Sequence, residues 1–202
     1  MFKKLFAFGA KSDSELNEQD LQERSLVRAA QQGDHGAFRM LYDAYHGQLY
    51  NLTYYTLKDS QLAEDTLQSI FLKIYRGLPN YRFESSFKTW AFRIAVNEAK
   101  NQLRNKKSEL PLTVITGTTQ EMNEAPGPHE EQLMQQREAI VRRALMELPP
   151  KMRTVIVLKY VDGLSYDEIA TVLDCSAGTV ASRLNRALEK LEALLAPFRS
   201  LL

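Results

Sequence analysis

Ser85-Ser-Phe-Lys-Thr-Trp-Ala-Phe-Arg-Ile-Ala-Val-Asn-Glu-Ala-Lys-Asn-Gln-Leu-Arg-Asn-Lys-Lys107 decides how this chain is read. Two serines open it, a helix N-cap signal, and no proline or glycine follows, so one helix of about six turns fits. On the helical period, Phe87, Ala91, Ile94, Ala95 and Leu103 share one side and form the expected core face. Arg93, Asn97, Lys100, Arg104 and Lys107 recur at intervals of four, three, four and three, which makes a second stripe. Six cations against Glu98 leave this stretch at +5, while the whole chain is only +1. Phe87, Trp90 and Phe92 stand beside the stripe, with Tyr81 and Phe83 just ahead of it. Cations track phosphates and rings stack on unpaired bases, so the pattern suits single-stranded nucleic acid. A solvated basic face over an aromatic core is the competing reading of the stretch by itself.

The 202 residues suit one or two domains, and 44% hydrophobic with 25% charged residues is an ordinary soluble composition. No apolar run reaches the length of a bilayer span, so stable membrane insertion is not expected. Leu5 to Phe8 is too short for a signal-peptide core, and residues 1–19 read as a disordered tail. A single cysteine, Cys175, excludes an internal disulfide and fits a reducing, cytoplasmic setting. His35, His46 and His129 lie far apart and offer no zinc spacing, so no metal or cofactor is expected.

Helical periodicity runs almost throughout, and the fold class expected is all-α. Residues 20–32 form a first helix with Leu21, Leu26, Val27, Ala29 and Ala30. Gly33-Asp34 breaks it and caps a second, with Ala37, Phe38, Leu41, Tyr42, Tyr45, Leu49, Leu52 and Tyr55. Asp59-Ser60 marks the start of a third, about 60–77. Its inward pairs are Leu62/Ala63, Thr66/Leu67, Ile70/Phe71 and Ile74/Tyr75. Its outer face holds Asp65, Gln68, Ser69, Leu72, Lys73 and Arg76, so Leu72 is a large apolar residue among polar ones, the centre of a candidate protein-binding patch. Residues 78–86 connect this helix to the basic one, a plain loop or one side of a pocket for an unstacked base. Residues 108–132 carry five glutamates and no lysine or arginine, with Pro111, Gly117, Pro126, Gly127 and Pro128, and read as a flexible acidic linker.

Helices return at Leu133 and run to Pro149-Pro150, followed by a helix over about 151–161. Ser165 and Glu168 make a capping box for the next. Ile169, Ala170 and Leu173 face inward, Asp174-Cys175-Ser176 turns the chain, and a last helix turns Val180, Leu184, Leu188 and Leu191 inward. This is a helix-turn-helix, with Thr179, Ser182, Arg183, Arg186 and Lys190 outward. Arginine takes guanine O6 and N7 together, and phosphate contacts fix register. Two small helical domains joined by the acidic linker follow, at 20–107 and 133–202.

Several stretches in this order resemble the extracytoplasmic-function (ECF) sigma factors of bacteria over nearly all of residues 20–196. They are Ala63-Glu-Asp-Thr-Leu-Gln-Ser-Ile-Phe-Leu72, the run from Tyr81 to Asn97, Leu148-Pro149, Leu164-Ser-Tyr-Asp-Glu-Ile-Ala170 and Gly178-Thr-Val-Ala-Ser-Arg-Leu184. The resemblance implies sigma region 2 at 20–107 and region 4 at 133–202. It implies docking on core RNA polymerase by Asp65, Gln68, Leu72 and Arg76. Melting and capture of the minus-ten element would fall to Tyr81, Phe83, Ser85, Phe87, Lys88, Trp90, Arg93, Asn97, Lys100 and Arg104, with one nontemplate base flipped into the loop. The minus-thirty-five duplex would be read by Ser176, Thr179, Ser182, Arg183, Arg186 and Lys190. The linker would lie in polymerase channels that later hold RNA. An anti-sigma factor is the regulatory partner implied, with a stress or envelope response as the setting. The sequence departs from the family at Phe83 and Asp174, where glycine is common, at Ser176, where proline is, and at Ala181, where lysine is frequent.

Two other function classes stand beside this one. A stand-alone helix-turn-helix repressor or activator leaves the first domain and Leu72 unexplained and expects tight duplex binding without polymerase. An enzyme acting on nucleic acid lacks a phosphate loop and a nucleophile constellation, and no catalytic residue is expected.

Overall fold

A computed structural model describes residues 13–109, 129–199 and 201, with side chains over 20–106, 136–199 and 201, and contains no β-strand among them. Four helices build the N-terminal half: α1 (Asp13–Gln31), α2 (His35–Leu57), α3 (Ser60–Gly77) and α4 (Phe87–Glu109). The C-terminal half holds α5 (His129–Glu147), α6 (Pro150–Ile156), α7 (Tyr166–Leu173) and α8 (Ala177–Leu195). Three expected boundaries move. The first helix begins at Asp13, so 13–19 are helical rather than tail, and α4 and α5 take residues 108–109 and 129–132 from the expected linker. The expectations for 1–12 and 110–128 lie outside the described residues.

The helix starts are set by side chains that satisfy the free N–H groups of a first turn. Asp34 accepts from Gly36 N at 2.8 Å and Ala37 N at 3.0 Å, just after Gly33 turns the chain at φ +94°. Asp59 accepts from Leu62 N at 3.0 Å, and Lys106 reaches the same carboxylate at 3.0 Å, which fastens the end of α4 to the start of α3. That backbone bond, with Lys106, holds the Asp59 carboxyl below its ordinary range. Ser86 Oγ accepts from Thr89 N at 3.1 Å and starts α4. The capping box is present at α7: Ser165 Oγ accepts from Glu168 N at 3.2 Å, and Ser165 N donates to Glu168 Oε2 at 2.8 Å. Each cap contributes about 1 kcal/mol.

Leu49 and Leu52 of α2, Leu67, Ile70 and Ile74 of α3, and Ala91, Phe92 and Ala95 of α4 form the first core. Tyr75, expected inside, is 45% exposed and lies edge-on to Phe38 at 5.0 Å instead of following Ile74 inward, and Leu21 of α1 is 64% exposed. In the C-terminal half Val155, Ile156, Val157 and Leu158 are all buried because α6 runs on into a π-turn, Val157–Val161, where Asp162 N bonds to Val157 O at 3.0 Å. Ile169 and Val172 pack with Val180, Leu184, Ala187 and Leu191 to hold α7 against α8. Val172 takes the buried place expected for Ala170 and Leu173, which are half-buried.

The two halves pack together. Helix α4 meets α2 and α3 on one flank and α7 on the other, and α2 also touches α6. So α4 is buried more widely than a single core stripe requires: Thr89, Phe92, Val96 and Ala99 join Phe87 and Ala91 inside.

Candidate nucleic-acid interface

The connector between α3 and α4 is a shaped loop. A short 3-10 turn, Leu78–Asn80, leads into it, and Gln31 at the end of α1 donates to Leu78 O at 2.9 Å and Tyr81 O at 2.8 Å. The loop closes on itself where Tyr81 OH donates to Ser85 O at 2.5 Å. The Tyr81 ring is the hub of an aromatic cluster, with Phe83 at 4.8 Å, Trp90 at 4.9 Å and Phe87 at 6.1 Å. Burial, with the Glu23 carboxylate second, pushes the Tyr81 hydroxyl up to about 12. Tyr81 and Phe87 are only 7% and 4% exposed, so they support the cluster from inside, while Phe83 and Trp90 reach solvent. Phe92 lies wholly in the core and is no stacking platform.

Phe83 occupies the left-handed region, at φ +60°. That conformation favours glycine and strains a bulky side chain. Its ring is held by Tyr81 on one side and by the Arg28 guanidinium, 5.6 Å from the ring centre, on the other.

A cavity of about 250 Å³ lies between this loop and α1. Tyr81, Phe83, Ser86 and Phe87 line one side, and Asp20, Glu23, Arg24 and Val27 the other. Sequence reading missed the α1 residues. Asp20, Glu23 and Arg24 do share a helical stripe, but nothing local links that stripe to a loop some sixty residues on. Glu23 accepts a hydrogen bond from Tyr45 OH. Burial raises the Glu23 carboxyl above its ordinary range against that bond, and burial followed by the Glu23 charge raises the Tyr45 hydroxyl. The cavity thus offers aromatic walls, two carboxylates that accept from amino groups, and a guanidinium that donates.

Arg93, Asn97, Lys100 and Arg104 form the exposed stripe on α4 that the spacing predicts. Lys88 departs from it. Its side chain turns to the C-terminal half, passes over the Phe92 ring, and donates to the backbone oxygen of Asp162. Desolvation lowers the Lys88 pKa. Ser85 is half-exposed and its neighbour Ser86 makes the cap.

In the helix-turn-helix, Asp174 adopts the left-handed conformation at φ +53°, and Ser176 Oγ accepts from Thr179 N at 3.1 Å to start α8. Ser176, Ser182, Arg186 and Lys190 are exposed along α8; Thr179 and Arg183 are half-exposed. Arg186 Nε donates back to Ser182 O at 3.3 Å, which orients the guanidinium along the helix. Arg183 faces Lys100 of the other half; burial first, and then Arg183, lowers the Lys100 pKa. The structure therefore brings together parts of two expected DNA-binding sets.

The third expected set stands apart from both. Asp65, Gln68, Leu72 and Arg76 are all exposed on α3, with Leu72 at 55%. Tyr75 widens the apolar surface there, and Lys73 beside it pairs with Glu98 of α4. No helix among the described residues is long and apolar enough to cross a membrane.

Residues 41–109 match the Sigma-70 region 2 family and 138–191 the Sigma-70, region 4 family. The chain is 37% identical over 183 residues to the RNA polymerase sigma-H factor of Pseudomonas aeruginosa, covering 87% of this chain and 95% of that one. It is 35% identical over 186 residues to the ECF RNA polymerase sigma-E factor of Escherichia coli K12, covering 89% and 97%. Among solved structures, CnrH in complex with the cytosolic domain of CnrY superposes with a TM-score of 0.64 at 26% identity, over 87% of this chain and 97% of that one. The sigma factor RpoE of Bartonella quintana, in complex with the anti-sigma factor NepR, gives 0.66 at 25% identity over 79% and 96%.

Proposed function

The chain belongs to the ECF sigma factors of RNA polymerase, and on that premise we propose how its residues divide the work of promoter recognition. As a sigma factor it binds core RNA polymerase, directs it to promoters and promotes melting for initiation. The exposed face of α3, with Asp65, Gln68, Leu72 and Arg76, docks on core polymerase. Residues 81–90 and the α4 stripe take the melted minus-ten strand, and α8 enters the major groove of the minus-thirty-five element. The observation that carries this reading is the cavity beside the stripe. A base leaving the stack meets the Phe83 ring in the cavity wall, and Glu23 or Asp20 accepts from its amino group, while Trp90, packed on the Tyr81 ring, offers the next aromatic face. Stacking on an aromatic ring contributes about 1–3 kcal/mol per base. Captured bases stabilise the open strand, so binding itself shifts the melting equilibrium. The chain does no bond chemistry of its own, and it works in the cytoplasm with the polymerase. The class of regulator seen with the Bartonella relative, an anti-sigma factor, extends to this chain.

Size-exclusion chromatography with core RNA polymerase tests the docking face. Wild type co-elutes and the Asp65→Ala, Leu72→Ala double variant does not; co-elution of both at micromolar concentration removes α3 from the role. Trp90→Ala impairs promoter opening more than initial binding, and opening at the wild-type rate removes Trp90 from the role. Four α4 cations on single-strand phosphates give a salt slope near about −3. A stand-alone repressor reading leaves the region 2 half without a task and predicts tight duplex binding by the free protein.

A further inference from the structure

The cavity assigned above to an unstacked base is walled on one side by α1, which lies ahead of residues 41–109, the stretch matched to the Sigma-70 region 2 family. Asp20, Glu23, Arg24 and Val27 line the cavity, Arg28 holds the Phe83 ring, and Gln31 reaches the loop backbone. These residues recur at helical spacing, so one side of α1 faces 78–86. Gln31 is the last residue of α1. Its Nε2 donates to Leu78 O at 2.9 Å and to Tyr81 O at 2.8 Å. A side-chain amide nitrogen carries two hydrogens, so both go to this one stretch of backbone. Leu78 O also accepts from Tyr81 N at 3.1 Å. The three bonds tie the two ends of the 3-10 turn to each other and to α1.

Beyond that anchor the loop has little else to fix it. Among the described residues, no backbone-to-backbone hydrogen bond involves residues 82–85. The second tether is Tyr81 OH on Ser85 O, at 2.5 Å. Between the two tethers stands Phe83, at φ +60°. A bulky side chain stays in the left-handed region only where the chain around it is held. Tyr81 takes part in both tethers, and its ring packs on Phe83 at 4.8 Å and Trp90 at 4.9 Å. We propose that Gln31 is the positioning residue of the base-capturing loop: by fixing the Tyr81 carbonyl it sets where the Tyr81, Phe83 and Trp90 rings stand, and so whether an unstacked base has walls to enter. The proposal rests on the reading of the cavity as a base pocket, and it makes α1 part of that pocket's frame through one side-chain amide. The phosphate-facing stripe does not share this dependence. Arg93, Lys100 and Arg104 project from α4, whose start is fixed separately by Ser86 Oγ on Thr89 N at 3.1 Å. Base capture and strand attraction therefore come apart at Gln31.

The test is binding of the full chain to minus-ten single-stranded oligonucleotides, read by fluorescence anisotropy, with an abasic site placed at each position in turn. In the wild type one abasic position should lower affinity at least about fivefold, the loss of one stacked base. Gln31→Met keeps the length of the side chain and removes both donors. Gln31→Glu sets a carboxylate against two carbonyl oxygens. Each variant should bring affinity for the intact oligonucleotide down toward that for the abasic one, Gln31→Glu further than Gln31→Met. Abasic binding and its salt dependence should stay within about twofold of wild type, because phosphate contacts carry them. Trp90 is the chain's only tryptophan, so its emission reads the loop without DNA and should shift to longer wavelength in both variants. Equal loss on intact and abasic oligonucleotides overturns the proposal, since a purely structural role gives that result. So does wild-type discrimination at the abasic position in both variants, or Trp90 emission unchanged in both. Loss of the helical circular dichroism in both assigns Gln31 to the fold alone and overturns it as well. A wild type indifferent to base removal at every position overturns the base-pocket reading itself, and that outcome is visible before any Gln31 variant is made.

Discussion

The two halves place their candidate DNA residues in opposite ways. In the N-terminal half the residues nearest the cavity are structural. Tyr81 and Phe87 are buried, and Lys88 is engaged across the seam. In the C-terminal half Ser182, Arg186 and Lys190 stand on the outside of α8, and the core beneath them is held by Val180, Leu184, Ala187 and Leu191. A surface that reads duplex edges needs only a rigid helix presented outward. A site that holds an unstacked base needs walls, and walls in a small helical domain are made from core residues. Substitutions in the first half therefore mix folding with binding, and those in the second half separate them.

The largest expected effect sharpens that contrast. Tyr81→Ala removes the aromatic hub and the bond to Ser85 O, and should cost about 3–5 kcal/mol of stability by denaturant titration, as for other buried aromatic truncations. An unchanged midpoint would make Tyr81 a free platform and break the comparison. Arg183→Ala and Arg186→Ala should each lower affinity for the upstream duplex by about 1–3 kcal/mol if bidentate to guanine. Arg186→Ala should leave unfolding within about 0.5 kcal/mol of wild type, as exposed sites do. Glu23→Gln keeps an acceptor for Tyr45 but exchanges the carboxylate for an amide. Its expected effect is a changed preference among oligonucleotides that differ only at the flipped base, and identical ranking to wild type would remove α1 from the pocket.

Phe83→Gly relieves a left-handed backbone by about 1 kcal/mol and removes the ring that Arg28 and Tyr81 hold, so stability should change little while strand capture weakens. A further effect is in pH. Burial pushes the Asp162 carboxyl up to about 7 from its ordinary 3.8, with Lys88 opposing. A raised carboxyl pKa favours the folded state when protonated. That contribution is full below the ordinary value and is lost as pH rises to about 7, at a slope of at most about 1.4 kcal/mol per unit. Asp162→Asn should flatten this stretch of the stability profile, and an unaltered profile assigns the dependence to other groups.

Much of this was legible locally. Asp34, Asp59, Ser86 and the Ser165/Glu168 pair stop and start helices through bonds that span three residues or fewer, so adjacent sequence carries them. The α4 stripe and the exposure of Leu72 follow from the 3.6-residue period. Where period and structure part, the cause is a neighbouring helix. Tyr75 leaves its expected core place to meet Phe38, and Val172 displaces Ala170 because α8 approaches from that side. The left-handed backbone at Phe83 and Asp174 was foreshadowed by family positions where glycine is common, but only the fold shows that two non-glycine residues accept it.

By itself the sequence determined an all-helical chain, its caps, the helix-turn-helix, the concentration of positive charge on α4 and the family. Each depends on interactions among near neighbours or on motifs of fixed spacing. Only the tertiary structure decided that Glu23 and Arg24 face the 81–86 loop, that Gln31 holds its backbone, that Tyr81 and Phe87 are buried, and that Lys88 meets Asp162 seventy-four residues away. Helical period fixes which residues share a face. Which faces then meet is set by the packing of whole helices, and that information is spread over the core rather than written beside the residues it brings together.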